Sequence, residues 1–223
     1  MSTGSHQWSG ERIFFAAALV LALVMGTGLC FLLVAVNKHE AVQSKTIDSA
    51  DIVPILPDHA RQLVDFSLTD RTDRTITRAE LAGKILVVDF LFTSCSLTCP
   101  VVNKHMAEVQ QLTTNQPDVK LVSLTVDPRS DTVDVLAEYG QKFGADTNRW
   151  LLLTGDKTQL HELIATSFLN PDLDDPFTYM PGNFSHTDRI AVVDAQGRVQ
   201  AYFDGLNENV AAAIVAEIAR LRK

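Results

Sequence analysis

The sequence predicts an α/β fold: a central mixed sheet flanked by helices, led by an N-terminal β-hairpin. Three observations predict it. From residue 62 onward, short apolar runs with strand spacing alternate with stretches of helical spacing. One run, Ile85 to Phe92, is long and apolar enough to read as a buried strand, and helical spacing follows it. Near the C-terminus, Ile190 to Val193 and Val199 to Phe203 flank the turn Asp194-Ala195-Gln196-Gly197-Arg198 and read as a hairpin.

Residues 1–12 form a short flank. Residues 13–36 contain no charged residue, no Asn, Gln or Pro, and two Gly. At about 1.5 Å per residue such a helix spans roughly 36 Å, enough for a ~30 Å hydrocarbon core. The run is longer than the apolar core of a signal peptide and ends in no small-x-small site, so it reads as a retained transmembrane anchor. Arg12 and Lys38 balance each other across it, so the flanking charges do not encode its orientation. Residues 37–61, with Pro54 and Pro57, read as a tether. Residues 62–223 form the folded domain.

Within that domain, Leu63 to Leu68 and Thr75 to Thr77 read as strands joined by the turn Arg71 to Arg74. After the buried strand, Val101 to Leu112 is helical, with Val102, Met106, Val109 and Leu112 on or near one face. Val119 to Val126 is the next strand, and Asp131 opens a helix reaching Phe143. Trp150 to Leu153 is a strand, and Asp156 to Phe168 a helix. Residues 169–185 read as a long loop rich in Pro, Asp and Asn, which in a compact domain points to function. After the hairpin, Asn209 to Leu221 is an amphipathic helix. The order β-hairpin, βαβα, then ββα is thioredoxin-like with an extra segment.

The chain carries a net charge of −8 and no basic run, which argues against a nucleic-acid partner. Chemistry concentrates at Phe92-Thr93-Ser94-Cys95-Ser96-Leu97-Thr98-Cys99-Pro100, between the buried strand and the helix after it. The spacing is CxxxC, not the CxxC of a thioredoxin. Placed four apart on a helix, two residues have Cα atoms about 6 Å apart, inside the ~4.4–6.8 Å range of a disulfide. A helix N-terminus also favours the thiolate, the form that attacks disulfides and binds soft metals. Two unrelated cysteines on one helix face are the bland alternative. Cys30 lies inside the apolar segment, apart from this pair.

Two thiolates and one imidazole suit Cu(I), and with a fourth ligand they suit Zn(II). Of the six histidines, His105 lies almost opposite Cys99 on its helix, and His161 sits on a helix surface. His186 ends the long loop where it enters a strand. On the residues alone it is either a ligand or a structural histidine. Asp127, in Val126-Asp127-Pro128, reads chiefly as a turn cap.

Several motifs together resemble the Sco/SenC family of copper chaperones for cytochrome c oxidase assembly. They are the CxxxCP segment, Leu124-Thr125-Val126-Asp127-Pro128 with Asp131-Thr132 and Leu136, Trp150 with Leu153-Thr154-Gly155, and Ser185-His186-Thr187 leading into Ile190-Ala191-Val192-Val193-Asp194 and Gly197. The resemblance implies one copper ion, Cu(I) or Cu(II), held by Cys95, Cys99 and His186. It also implies a redox-active Cys95–Cys99 pair, which would make the protein, in an alternative reading, a thiol–disulfide oxidoreductase. The implied partners are the copper-centre subunit of cytochrome c oxidase, other copper chaperones and thioredoxin-like reductants. The implied location is the inner membrane, with the domain on the periplasmic side. Family members often carry Asp where this chain has Ser185, so the outer support of the imidazole is expected to differ here.

Overall fold

The computed structural model describes residues 52–54, 61–168, 179–180, 183–184 and 188–222. The predicted transmembrane segment, most of the tether, and Ser185 and His186 lie outside the described residues.

The strands are β1 (Ile52–Pro54), β2 (Ser67–Asp70), β3 (Thr75–Thr77), β4 (Ile85–Leu91), β5 (Val119–Thr125), β6 (Trp150–Thr154), β7 (Tyr179–Met180), β8 (Asn183–Phe184), β9 (Arg189–Val193) and β10 (Val199–Asp204). The helices are α1 (Cys99–Leu112), α2 (Val133–Lys142), α3 (Lys157–Ser167) and α4 (Val210–Arg220), with a 3-10 turn at Arg78–Leu81. Eight strands form one sheet in the order β1-β10-β9-β4-β5-β6-β2-β3. The centre, β4-β5-β6, is parallel; β9 and β2 join it antiparallel on either side. The expected mixed, thioredoxin-like sheet is therefore present.

Both faces of the central strands are covered, so their side chains alternate between two cores. Val87, Leu91, Leu121 and Leu152 face Val102, Met106 and Val109 of α1, Leu136 of α2 and Ile214 and Ile218 of α4. Leu86, Val88, Phe90, Val122 and Leu124 face the other way, onto Leu160, Leu163 and Ile164 of α3 and onto Phe168. By the same period of two, Asp89 and Ser123 point to the α1 side with Val87, Leu91 and Leu121.

The boundaries differ from the sequence reading in ways that have physical causes. The first hairpin strand starts at Ser67 and runs to Asp70, because the Asp70 carboxylate closes the turn. It accepts from Thr72 N–H (2.8 Å), Thr72 O–H (2.6 Å), Arg74 N–H (3.1 Å) and the Arg74 guanidinium (2.7 Å). Part of the expected tether, Ile52–Pro54, is an edge strand on β10, where Pro54 is tolerated. Inside the expected long loop, Tyr179–Met180 pairs with Asn183–Phe184. The second helix opens at Val133, with the Thr132 hydroxyl accepting from Val135 N–H, so Asp131 is left for another task.

Leu136 anchors α2 and is fully buried. Leu136→Ala is expected to destabilise the domain by about 2–5 kcal/mol, through lost burial plus the cavity left behind. Urea unfolding of the variant measures it, with a lower midpoint and an unchanged slope.

Candidate metal centre

β4 ends at Leu91, and the chain turns at once: Cys95 N–H donates to the Phe92 carbonyl (3.1 Å). Cys95 therefore lies in the turn before α1, not on the helix. The helix begins at Cys99, two residues earlier than the spacing predicts, with Pro100 in its first turn, where no amide donor is needed. Thr98 occupies the cap position but makes no side-chain cap bond. Val101 N–H (2.9 Å) and Val102 N–H (3.1 Å) donate to the Thr98 carbonyl, and the N–H groups ahead of them meet a side-chain acceptor.

That acceptor is the Cys95 sulfur. Burial works against its ionisation, but the N–H groups of Cys99, Leu97 and Thr98 point at it, and together they bring its thiol down from 9.0 to about 7. Its Sγ also lies 4.0 Å from Thr98 Oγ1. Cys99 is the opposite case. It is buried, and desolvation pushes its thiol up to about 12, with the neighbouring Cys95 sulfur adding to the rise. Both cysteines are free thiols. One is half-exposed and ionises near neutrality; the other lies beneath it and keeps its proton.

Polar side chains surround Cys99 from below. Asn103, buried one turn on, donates to the Cys99 carbonyl (2.8 Å) and to Tyr139 Oη (3.3 Å). Asp89, fully buried, accepts from the Ser123 hydroxyl, which in turn accepts from Trp150 Nε1–H (2.8 Å). Burial pushes the Asp89 carboxyl up to about 7 against that hydrogen bond. The Tyr139 phenol is raised too, by burial first and then by the charges of Cys99, Asp89, Cys95 and Asp131, which places these groups in one neighbourhood. Sequence reasoning missed this layer. Its legible sign was Asp89, a lone charge inside an apolar strand.

The outer surface is uncharged, with Ser94 and Ser96 exposed beside two apolar side chains. Leu97, between the cysteines, is 80% exposed, and Val101 on the next turn is 39% exposed. No charged residue occurs from Phe90 to Asn103.

His105 is not available as a ligand. It is buried, and its Nδ1 lies 2.9 Å from the Gly205 carbonyl, fixing the β10–α4 loop against α1. Only glycine fits at that position, since a Cβ at Gly205 would come within 2.3 Å of the Asp188 carbonyl. At Asp127 the turn is closed by the main chain, its carbonyl accepting from Ser130 N–H (3.1 Å) and Asp131 N–H (2.9 Å). Among the described residues, no group of three or more His, Cys, Asp or Glu could hold a metal ion. Cys95 and Cys99 supply two soft donors, and the expected third, His186, lies outside the described residues.

The model of the SCO1/SenC family matches residues 56–223. The chain belongs to the SCO1/SenC family. A SCO2-like protein of Rickettsia felis is 30% identical over 191 residues, covering 83% of this chain and 87% of the relative. Among solved structures, a SCO1/SenC family lipoprotein from Bacillus anthracis is 27% identical with a TM-score of 0.63, covering 74% of this chain and 96% of that one. BsSco, described as a Sco family member with a disulfide switch, has a TM-score of 0.62 at 21% identity, covering 76% and 95%. Bradyrhizobium japonicum ScoI with copper bound has a TM-score of 0.56 at 23% identity, covering 71% and 98%. These last two share the SCO1/SenC fold with this chain.

The split between the two thiols gives a pH prediction. Only the thiolate reacts with iodoacetamide, so the rate at Cys95 rises as its proton leaves, with a midpoint near pH 7. Cys99 stays slow through pH 9. Mass spectrometry of the two peptides after timed alkylation measures both, and a Cys95 midpoint near 9 would contradict the arrangement.

Proposed function

We propose that this protein is a membrane-anchored copper metallochaperone that assists assembly of the binuclear copper centre of cytochrome c oxidase. Its ligands are Cys95, Cys99 and His186, holding one copper ion as cargo. The observation that carries this reading is the ready thiolate of Cys95 above the protonated Cys99, at a helix N-terminus on a SCO1/SenC fold. Soft thiolate donors select Cu(I) over harder cations. Cys95 meets the ion first, and Cys99 joins by giving up its proton, so binding releases protons and strengthens with pH. The copper-bound ScoI and the description of BsSco as a cytochrome c oxidase assembly protein support the cargo and the destination.

Residues 13–36 are the anchor in this reading, 37–61 the link to the membrane, and 62–223 the copper-binding domain on the periplasmic side of the inner membrane. The partners are the copper-centre subunit of the oxidase, other copper chaperones that supply the ion, and thioredoxin-like reductants that keep the pair reduced.

A second reading, thiol–disulfide oxidoreductase, rests on the same thiol asymmetry. The Cys95 thiolate attacks a target disulfide, forms a mixed disulfide and releases one target thiolate. Cys99 then loses its proton, attacks the Cys95 sulfur and releases the second. The target is reduced by two electrons, and the Cys95–Cys99 disulfide awaits a dithiol reductant.

Copper titration of the reduced full-length protein separates the readings. One Cu(I) per chain is expected, lost or weakened at least tenfold in Cys95→Ala, Cys99→Ala and His186→Ala. Unchanged binding in all three sinks the metallochaperone reading. His186→Ala is expected to leave reduction of a model disulfide intact, because that reaction uses only the cysteines. Oxidised protein is expected to bind far less copper, since a disulfide has no thiolate to offer; equal affinity in both forms would refute the coupling.

A further inference from the structure

Asp131 does not act as the helix opener its position suggests. Its side chain is 1% exposed and turned inward, toward the end of β4. It accepts from Thr93 N–H (3.1 Å to Oδ1, 3.3 Å to Oδ2), from Thr93 O–H (2.6 Å) and from the Thr125 hydroxyl. All of these donors are neutral. Thr125 Oγ1 also accepts from Asp127 N–H (3.0 Å), and Asp131 N–H donates to the Asp127 carbonyl (2.9 Å). One carboxylate thus joins the turn after β4 to the loop between β5 and α2.

Thr93 stands two residues before Cys95, inside the turn closed by Cys95 N–H on Phe92 O. The aim of the Cys95 sulfur at the N–H groups of α1 depends on the path of that turn. A buried carboxylate is a costly way to brace two loops, because desolvating a charge is more expensive than desolvating an amide. What the charge adds is stronger hydrogen bonds, short and charge-assisted, on a segment that must be held to a fraction of an ångström.

We infer that Asp131 is a positioning residue of the metal centre, holding the Cys95 turn through Thr93 so that both sulfurs are presented to one ion. This rests on the copper reading of Cys95 and Cys99. Asp131 touches no ligand and acts through Thr93 alone.

The test uses the full-length protein in detergent, with Asp131→Ala, Asp131→Asn, Thr93→Val and Thr93→Ser. Three quantities are read: Cu(I) affinity by competition with a chromogenic chelator, the iodoacetamide rate at Cys95 at pH 7, and the apo Tm. Supports of this kind are worth 10–100-fold in metal affinity. Asp131→Ala is expected to lose 10–100-fold in Cu(I) affinity and to change the Cys95 rate at least threefold. Thr93→Val, which deletes one donor and keeps the carboxylate, is expected to lose about tenfold. Thr93→Ser, which keeps the hydroxyl, is expected to stay within threefold of the parent. A lower Tm with Cu(I) affinity and Cys95 rate both within threefold of the parent, in Asp131→Asn and Thr93→Val, would make Asp131 a brace of the fold only and overturn the inference. Where Asp131→Ala fails to fold, those two variants decide. If the parent itself takes up no Cu(I), the copper reading falls, and the positioning role stands or falls on the Cys95 rate.

Discussion

The N-terminus of α1 carries backbone N–H groups without a side-chain cap, and the Cys95 sulfur stands in for that cap. Much of the site's chemistry follows from this contact. A helix end offers partial positive charge and directed donors, so it stabilises an anion, and the anion here is a thiolate. The contact requires Cys95 to lie outside the helix, facing its end. A spacer of three residues allows that, because the chain must turn at Phe92 and come back before Cys99 begins the helix. The same geometry leaves Cys99 on the inner side of the first turn, where burial holds its proton. Two identical side chains four residues apart thus lose their protons in widely separated pH ranges, Cys95 near 7 and Cys99 near 12.

The sheet places this contact where a ligand can reach it. Parallel β4 and β5 end together, with Leu91 opposite Thr125, so their loops leave the same edge. The loop from β4 carries the cysteines, and the loop from β5 carries Asp127 and Asp131. Valine, leucine and isoleucine fill both faces of the central strands up to that edge, and polar side chains take over near it: Asp89, Ser123 and Thr125 on the α1 side. The apolar part fixes the distance between α1 and the sheet. The polar part sets the electrostatics under the sulfurs. Asp89, held near 7 by burial, is poised between charged and neutral forms rather than adding a permanent negative charge beneath Cys99.

Most of the fold was legible because its signals are local. Ile85 to Phe92 could only be a buried strand, and the spacing of Val102, Met106 and Val109 could only serve a helix with one face inward. The hairpin at Asp194 to Arg198 was equally plain, since its turn carries Gly197 at φ 81°, a conformation glycine adopts freely. What escaped was the direction of polar side chains. Asp131 precedes a helix, so its position suggested a role at the helix start, yet its partners Thr93 and Thr125 are brought to it by strand pairing, which sequence spacing does not encode. The start of α1 was missed because Pro100 reads as a helix boundary, while a proline in the first turn is compatible with the helix beginning at Cys99. Asn103 and Tyr139 were invisible for the same reason as Asp131: they meet across two helices.

The thiol asymmetry bears on how one site could serve both copper transfer and thiol exchange. Copper release to a partner requires the two sulfurs to leave the ion in sequence, and the buried Cys99, re-protonated at neutral pH, regains its proton as the ion departs. Disulfide exchange requires one sulfur to attack and the other to resolve, and the half-exposed Cys95 is the one a target can reach. Both demands are met by the same difference in burial and hydrogen bonding, so improving one need not damage the other. In the proposed copper reading, what separates them is a third ligand. Copper retention in that reading uses an imidazole that thiol exchange does not, and the surface from Ser94 to Val101 carries no charge that would select between partners. In that reading the choice between the two activities falls on the third ligand and on the redox state of the pair, since the environment of the cysteines is common to both.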